Sequence, residues 1–249
     1  MNNIFKGFIF SAMALLSLTF ISCGDDDEDI KAPLPDFIEH LPSAENIKAT
    51  TAFIPVNASL PEGTVELYWG STETGLRDGH VSTNLDRKLN GFQLSWLEPD
   101  QTYYYTIAYY PPYSNEPVYS KEIKSFKTKS VGIQFTDLAI TSEGNRPEYA
   151  LRIKVTGLEE TDALSNMYVS LYSAYTDNSG YITHGICSLR YLGDAVWEYE
   201  AIDEYDSYLA VIKNQEGRIF AKTPVVKFVD GKLVEVEDDH IFDRVLNLK

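Results

Sequence analysis

The chain has very few of the residues from which catalytic and metal sites are most often built. Its 249 residues include only two cysteines and four histidines. The sequence has no Gly-x-Ser-x-Gly, no His-Glu-x-x-His, no Cys-x-x-Cys and no phosphate-binding glycine loop. The histidines are scattered, so none has a partner at metal-ligand spacing. These absences predict a protein that is not an enzyme and that has no catalytic residue, metal ligand or cofactor.

Positive charge is also scarce. The chain has 21 Lys and Arg residues against 37 Asp and Glu residues, which gives a formal net charge of −16. Proteins that bind nucleic acid use basic patches to neutralise phosphates. The charge balance therefore excludes nucleic acid as a partner.

Only one long apolar run is present, and it lies at the amino terminus. It extends from about Phe8 to Ile21, after the positively charged Lys6. The run is short for a membrane span, and a charged start followed by such a run is typical of an export signal. It stops at the small polar step Ser-Cys-Gly, residues 22–24.

The residues around Cys23, "FISCG", resemble the lipobox of bacterial lipoproteins, with Phe20 where the family usually has Leu. The resemblance implies that residues 1–22 are a removed signal peptide and that a lipid such as palmitate on Cys23 anchors the chain to a membrane. An ordinary secretory signal with a chance cysteine, or a buried core helix, is the alternative. If Cys23 is lipidated, Cys187 is left alone and no intramolecular disulfide can form.

An acidic run follows Cys23 directly. Its members are Asp25, Asp26, Asp27, Glu28 and Asp29. The run resembles the export signal of surface lipoproteins in Bacteroidota, which implies an outer-membrane protein that faces the extracellular side. The alternatives are retention in the periplasm and a charge run that only stays hydrated. The remaining stretch to residue 43 is rich in proline, so residues 23–43 are predicted to be an extended tether.

Short alternating runs follow the tether and predict an all-β domain. In three of these runs the apolar residues fall at every second position and therefore share one face of the strand. The predicted core positions are Val65, Leu67, Trp69, Phe92, Leu94, Trp96, Tyr103, Tyr105, Ile107 and Tyr109. The spacing of Leu97, Pro99 and Tyr103 resembles the segment before the sixth strand of fibronectin type III domains. The resemblance covers residues 44–129. It implies that the Tyr103 hydroxyl bonds back to the preceding turn.

Residues 130–249 also have the pattern of an all-β domain. Strand-like runs such as 149–155, 167–175, 197–202, 207–214 and 222–229 are separated by the turn sequences "TDNSGY", "NQEG" and "VDGK". They predict a second, immunoglobulin-like sandwich. The "DNSG" segment at 177–180 resembles the start of a calcium loop but lacks the closing glutamate, which favours a hairpin turn.

Two functions fit these features. One is an accessory surface lipoprotein that binds a glycan or a protein, because tyrosine and tryptophan stack on sugar rings and anchor protein interfaces. The other is a structural spacer or a pilus or assembly subunit that presents edge strands. A row of exposed coplanar aromatic side chains on one sheet face would distinguish the binder from the spacer.

Five aromatic residues are the candidate ligand contacts: Tyr110, Tyr113, Tyr175, Tyr181 and Trp197. The first two lie in a proline-rich loop between the last two strands of the first domain. In the fibronectin type III family this loop lies at the pole where the chain enters, which faces the membrane in an amino-terminally anchored protein. The other three lie in the second domain, where core packing is the alternative for Trp197.

Overall fold

The computed structural model describes residues 34–56, 62–78, 82–136, 139–142, 148–158, 167–200, 202, 206–237 and 240–246. Cys23 and the acidic run, residues 25–29, lie outside the described residues. The described residues are mainly β-strands, with two one-turn α-helices, α1 (Asp36–Glu39) and α2 (Asp243–Leu246). None of the helices in this part of the chain is long and apolar enough to cross a membrane.

Seven of the described strands form a first sandwich. They are β1 (Ala52–Pro55), β2 (Thr64–Gly70), β3 (Ser82–Asn84), β4 (Gly91–Leu94), β5 (Thr102–Tyr110), β6 (Val118–Tyr119) and β7 (Lys124–Lys127). One sheet pairs β1 with β4, and a bridge between Glu45 and Phe53 adds the segment before β1. The other sheet has the order β3-β2-β5, with β6 and β7 both on the far side of β5. This arrangement confirms the predicted fibronectin type III-like fold, in which β5 is the sixth extended segment.

The core of the first sandwich contains the aromatic face predicted for β5. Tyr105 and Ile107 are fully buried, and Tyr103 and Tyr109 are nearly so. The hydroxyl of Tyr103 accepts the backbone N–H of Glu98 at 2.8 Å, as the family resemblance implies. The residues of β5 therefore alternate between core and outer face as the two-residue period of a strand requires.

The prediction that Trp96 shares the core with Phe92 and Leu94 is wrong. Strand β4 ends at Leu94, and Trp96 has a φ of 65°. This left-handed backbone breaks the alternation, so the indole lies on the surface with 65% of its area exposed. The two other residues are buried in the core as predicted.

Part of the expected tether is folded. Within residues 34–43, α1 and the residues after it place Phe37, Ile38 and Leu41 in the core of the first sandwich. The carbonyl of Ile38 accepts the backbone N–H of Lys121 at 3.1 Å. Residues 36–41 are therefore not part of an extended tether, and Pro35 and Pro42 lie on either side of a helix instead.

Eleven further described strands form a second sandwich. They are β8 (Gly132–Phe135), β9 (Ala139–Ser142), β10 (Glu148–Thr156), β11 (Met167–Thr176), β12 (Ile182–Cys187), β13 (Arg190–Gly193), β14 (Val196–Tyr199), β15 (Ser207–Asn214), β16 (Ile219–Lys222), β17 (Val226–Val229) and β18 (Lys232–Glu235). One sheet has the order β13-β14-β10-β8, with β9 also on β10. The other has the order β12-β11-β15-β17-β18, with β16 also on β15. The all-β fold class predicted for the chain is thereby confirmed.

The larger sheet of the second sandwich is covered on both faces. Leu171 and Tyr208 on its inner face pack with Leu151 and Ile153 of the opposite sheet. On its outer face Phe242, fully buried, packs against buried side chains of β11 and β15. The residues of α2 and the turn before it therefore act as a cap over this sheet.

The two sandwiches contact each other directly. Ala49 of the first sandwich is fully buried in a cluster with Val155 and Met167 of the second. Arg218, in the turn between β15 and β16, forms an ion pair with Glu98. Gly157 has a φ of +81°, and a Cβ there would lie 2.4 Å from the carbonyl oxygen of Ser130, so the chain between the sandwiches packs closely on the end of β10. We call this region the junction.

Candidate functional site

The hairpin of β11 and β12 carries two of the predicted contact residues. Tyr175, near the end of β11, is 52% exposed, and Tyr181, just before β12, is 64% exposed. Leu171 pairs with Cys187 across the same hairpin, so these two residues share a face. Tyr175 lies four residues after Leu171, and Tyr181 lies six before Cys187. Because side chains alternate with a period of two, both tyrosines project from that same face.

The hairpin lies at the end of the second sandwich that is far from the junction. Met167, the first residue of β11, is part of the junction cluster. Tyr175 is eight residues further along the same continuous strand. At roughly 3.3 Å per residue, the two Cα atoms are about 26 Å apart. We call residues 175–181 the distal hairpin.

The turn of the distal hairpin is fixed by Asp177. Its Oδ1 accepts the backbone N–H of Ser179 at 2.8 Å, the hydroxyl of Ser179 at 2.6 Å and the backbone N–H of Tyr181 at 2.9 Å. The Ser179 hydroxyl and these N–H groups hold the pKa of the Asp177 carboxyl below its usual range. Gly180, at φ +84°, supplies the left-handed residue. These contacts agree with the predicted hairpin turn rather than a calcium loop.

The prediction that Tyr110 and Tyr113 both lie in the loop is wrong for Tyr110, which is the last residue of β5, whereas Tyr113 lies in the loop that follows. The Tyr110 hydroxyl lies 2.9 Å from the hydroxyl of Tyr68, which in turn donates to Glu66 at 3.1 Å. Tyr113 is fully exposed, and its φ of 64° turns it away from the sheet. Tyr110 is therefore held on the sheet, whereas Tyr113 is free to contact a partner.

The described outer face of the β3-β2-β5 sheet does not carry a flat aromatic row. Tyr68 is buried there, and its ring meets Tyr119 edge-on, with 61° between the ring planes. The guanidinium of Arg77 lies over the ring of Tyr119, 5.5 Å from its centre. The coplanar platform expected of a sheet-face glycan binder is thus not found among the aromatic side chains that the structure describes on this face.

Trp197 is a packing residue at the edge of the second core. It is half-buried, contacts two core clusters and lies 5.0 Å from the ring of Tyr191, centre to centre. Because its indole already contacts the interior, it offers less free surface than the hairpin tyrosines. The surroundings of Trp197 therefore match the alternative prediction, in which its indole packs in the core.

His184 and Cys187 do not form a nucleophile and base pair. They lie three residues apart in β12, and the strand alternation points them to opposite faces. Cys187 is buried between the sheets, while Nε2 of His184 is 2.6 Å from the carbonyl oxygen of Ile241 on the outer face. Among the residues described, no cluster of three His, Cys, Asp or Glu residues could hold a metal ion.

The sequence pattern does not mark three of the exposed aromatic residues. It places Trp96 in the core and Tyr168, 46% exposed at the junction end of β11, only in a strand, and it does not single out Tyr191, which is 40% exposed. The two-residue period could have placed Tyr168 on the face opposite Leu171. No sequence signal marks the left-handed backbone that exposes Trp96.

An ion cluster covers the outer face of the smaller sheet in the second sandwich. Glu198 is 2% exposed and accepts Nε of Arg152 at 2.8 Å, and Arg190 bridges Glu198 and Glu200. Burial alone would raise the pKa of Glu198, but the hydrogen bonds from the two arginines outweigh it and lower that pKa. Both guanidiniums pair with carboxylates of the same sheet edge, so this cluster is a structural feature.

Comparison with known proteins adds little to this description. No protein-family model matches the chain, and no curated protein matches it. Among solved structures, a two-domain fibronectin type III segment from chicken tenascin aligns with 78% of this chain and 97% of its own length. The sequence identity is 11% and the TM-score is 0.31. The fold of this chain, a pair of β-sandwiches of which the first is fibronectin type III-like, therefore rests on its strand order and cores.

Proposed function

We propose that the chain is a lipid-anchored outer-membrane protein that faces outward and binds a glycan or protein ligand without chemical turnover. The observation that carries the proposal is the distal hairpin, where Tyr175 and Tyr181 are both more than half exposed on one face. Exposed tyrosines give large apolar contact area at little cost in side-chain entropy, and their hydroxyls supply hydrogen bonds.

The position of the hairpin suits this role. The chain enters the first sandwich at α1, and the distal hairpin lies at the far end of the second sandwich. The distal hairpin lies about 26 Å along β11 from Met167, so the junction does not cover it. A turn already fixed by Asp177 lowers the entropy lost on binding.

An array of polysaccharides and glycoproteins tests the binding proposal. The probe is residues 24–249, which keep the whole compact unit Pro35–Lys249. We expect a hit that is weakened at least tenfold in the Tyr175→Ala, Tyr181→Ala variant. Tyr168→Ala, which removes an exposed tyrosine at the other end of β11, is the matched control. A hit that only a Tyr110→Ala, Tyr113→Ala variant weakens would move the site to the first sandwich, and released sugar or cleaved peptide would contradict the non-enzymatic role.

The anchor has its own test. A fatty-acid probe should label the parent protein and fail to label Cys23→Ala. Retention of the label in the variant would contradict acylation at this cysteine.

A spacer role is the second candidate, and the junction favours it. The burial of Ala49 in the second core and the ion pair between Arg218 and Glu98 limit movement between the sandwiches. A rigid pair of modules would hold another component at a set distance from the membrane. Absence of any array hit, together with an unchanged scattering profile over a range of salt concentrations, would favour this role over ligand binding.

A further inference from the structure

A cleft of about 440 Å³ opens at the junction end of the first sandwich. Its walls come from the end of β2, the loop that follows β2 and the turn before β5. The lining side chains used below are Trp69, Thr72, Thr74, Glu98 and Tyr103. The volume lies within the range of small-molecule sites, and the mixture of aromatic and polar groups is characteristic of such sites.

The aromatic wall of the cleft is held in place before any ligand binds. Nε1 of Trp69 donates to the hydroxyl of Thr83 at 3.2 Å, which fixes the indole. The ring of Tyr103 meets the indole edge-on at 5.7 Å, and Phe126 stacks on the other side of Tyr103 at 5.8 Å. A half-buried, fixed indole gives a flat apolar surface against which a sugar ring can pack.

The polar wall offers both acceptors and donors. One carboxylate oxygen of Glu98, Oε2, contacts Arg218, which leaves Oε1 for a ligand hydroxyl. The hydroxyl of Tyr103 accepts the N–H of Glu98, so its own hydrogen remains available to donate. Thr72 and Thr74 are exposed in the loop. The Thr72 hydroxyl donates to the carbonyl of Thr74 at 3.4 Å and can still accept, whereas the Thr74 hydroxyl can do both. Alternating donors and acceptors beside an aromatic face match the hydroxyl groups of a sugar ring.

The charges near the cleft limit which kind of sugar can bind there. The chain carries a net charge of −16, and Glu73 lies in the same loop as the two threonines. Within the cleft the Glu98 carboxylate is paired with Arg218, so Glu73 is the negative charge that a uronic or sulfated sugar, and more strongly a phosphate, would meet. We propose that this cleft is a binding site for a neutral saccharide, with one ring packed on Trp69 and its hydroxyls bonded to Glu98 and the loop threonines. The cleft is separate from the distal hairpin, so it is a second site.

Calorimetric titration tests the proposal on the full-length protein in detergent. The probes are the neutral hexasaccharides of cellulose, amylose, xylan and mannan, with hexagalacturonate as the charged comparison. We expect at least one neutral probe to bind saturably and hexagalacturonate not to bind. Glu98→Gln and Thr72→Val should each weaken binding at least tenfold, and Thr72→Val removes one surface hydroxyl without threatening the fold.

Two control variants separate a binding role from a structural one. Arg218→Gln breaks the ion pair but leaves the Glu98 carboxylate, so it should bind at least as tightly as the parent protein. Trp96→Leu removes an exposed indole that does not line the cleft and should change nothing. The proposal is overturned if no neutral probe binds, if hexagalacturonate binds as well as the neutral probes, if both cleft variants bind like the parent, or if Arg218→Gln loses binding to the same extent as Glu98→Gln.

Discussion

The hydroxyl of Tyr103 stabilises the turn before β5, because it accepts the backbone N–H of Glu98. Tyr103→Phe keeps the ring in the core and removes only this acceptor. The free energy of unfolding should fall by about 0.5–1.5 kcal/mol, the net value of an ordinary hydrogen bond. Urea melts of the two proteins measure the difference.

Tyr113→Phe is the matched control for this prediction. Its side chain is fully exposed, so loss of its hydroxyl should leave the urea midpoint unchanged. Equal shifts for the two variants would mean that the Tyr103 hydroxyl does not hold the turn.

Glu198 gives the second sandwich a dependence on pH. The pKa of Glu198 is lower in the folded protein than in the unfolded chain. In the unfolded chain a glutamate titrates at about 4.3. The stabilisation is therefore complete above that value and is lost as the pH falls through the folded pKa. Glu198→Gln, which cannot titrate, should be less stable than the parent protein at pH 7.

The measurement is the free energy of unfolding of both proteins from pH 7 to pH 3. The gap between the two free energies should narrow below about pH 4.3, because the unfolded parent chain then binds a proton at this carboxyl that the folded protein does not, until the folded carboxyl is protonated too. A gap that stays constant over this range would show that the arginine contacts do not depend on the charge of Glu198.

Helix α1 and the residues just after it contribute core side chains to the first sandwich, although they lie in the proline-rich segment. Phe37, Ile38 and Leu41 are each at most 4% exposed. A chain that begins at residue 44 loses all three, and each buried side chain of this kind contributes roughly 1.5–3 kcal/mol. We expect thermal unfolding of residues 44–249 to begin well below that of residues 24–249. Coincident melting curves would contradict the packing of α1.

The distal hairpin makes a prediction about calcium. Three hydrogen bonds already converge on Oδ1 of Asp177, and the closing glutamate of a calcium loop is missing. Addition of millimolar calcium should leave the melting temperature unchanged, because a ligand that binds only the folded state would raise it. Asp177→Asn, which can still accept these hydrogen bonds, should behave in the same way. A calcium-dependent rise that this variant abolishes would restore the calcium-loop interpretation.

Among strands, turns and helices, the sequence could predict the features that depend on a local residue pattern. The alternation of Tyr103 to Tyr109 and the hairpin turn at 177–180 follow from a period of two and from turn chemistry. The roles of α1 and α2 could not be predicted, because a one-turn helix has no periodic signal and forms through tertiary packing. The exposure of Trp96 was missed for a related reason, since it depends on one left-handed residue.

At the scale of the whole molecule, the junction was not predictable from the sequence. Glu98 and Arg218 are 120 residues apart, and nothing local indicates that they meet. The exposure of Tyr113, Tyr175 and Tyr181 was easier to predict, because tyrosines near turn residues are visible in the sequence. The structure was still needed to distinguish the exposed side chain of Tyr113 from that of Tyr110, whose hydroxyl is hydrogen-bonded to the Tyr68 hydroxyl.

Display of the distal hairpin outside the cell can be tested by labelling a new thiol on intact cells. Tyr181→Cys places a thiol at a position that is 64% exposed, whereas the native Cys187 is buried. A membrane-impermeant maleimide is added to intact cells and, separately, to lysed cells, with the parent protein as the background control. We expect equal labelling of Tyr181→Cys in both samples and little labelling of the parent. Labelling that requires lysis would place the hairpin inside the envelope and rule out an outward-facing protein.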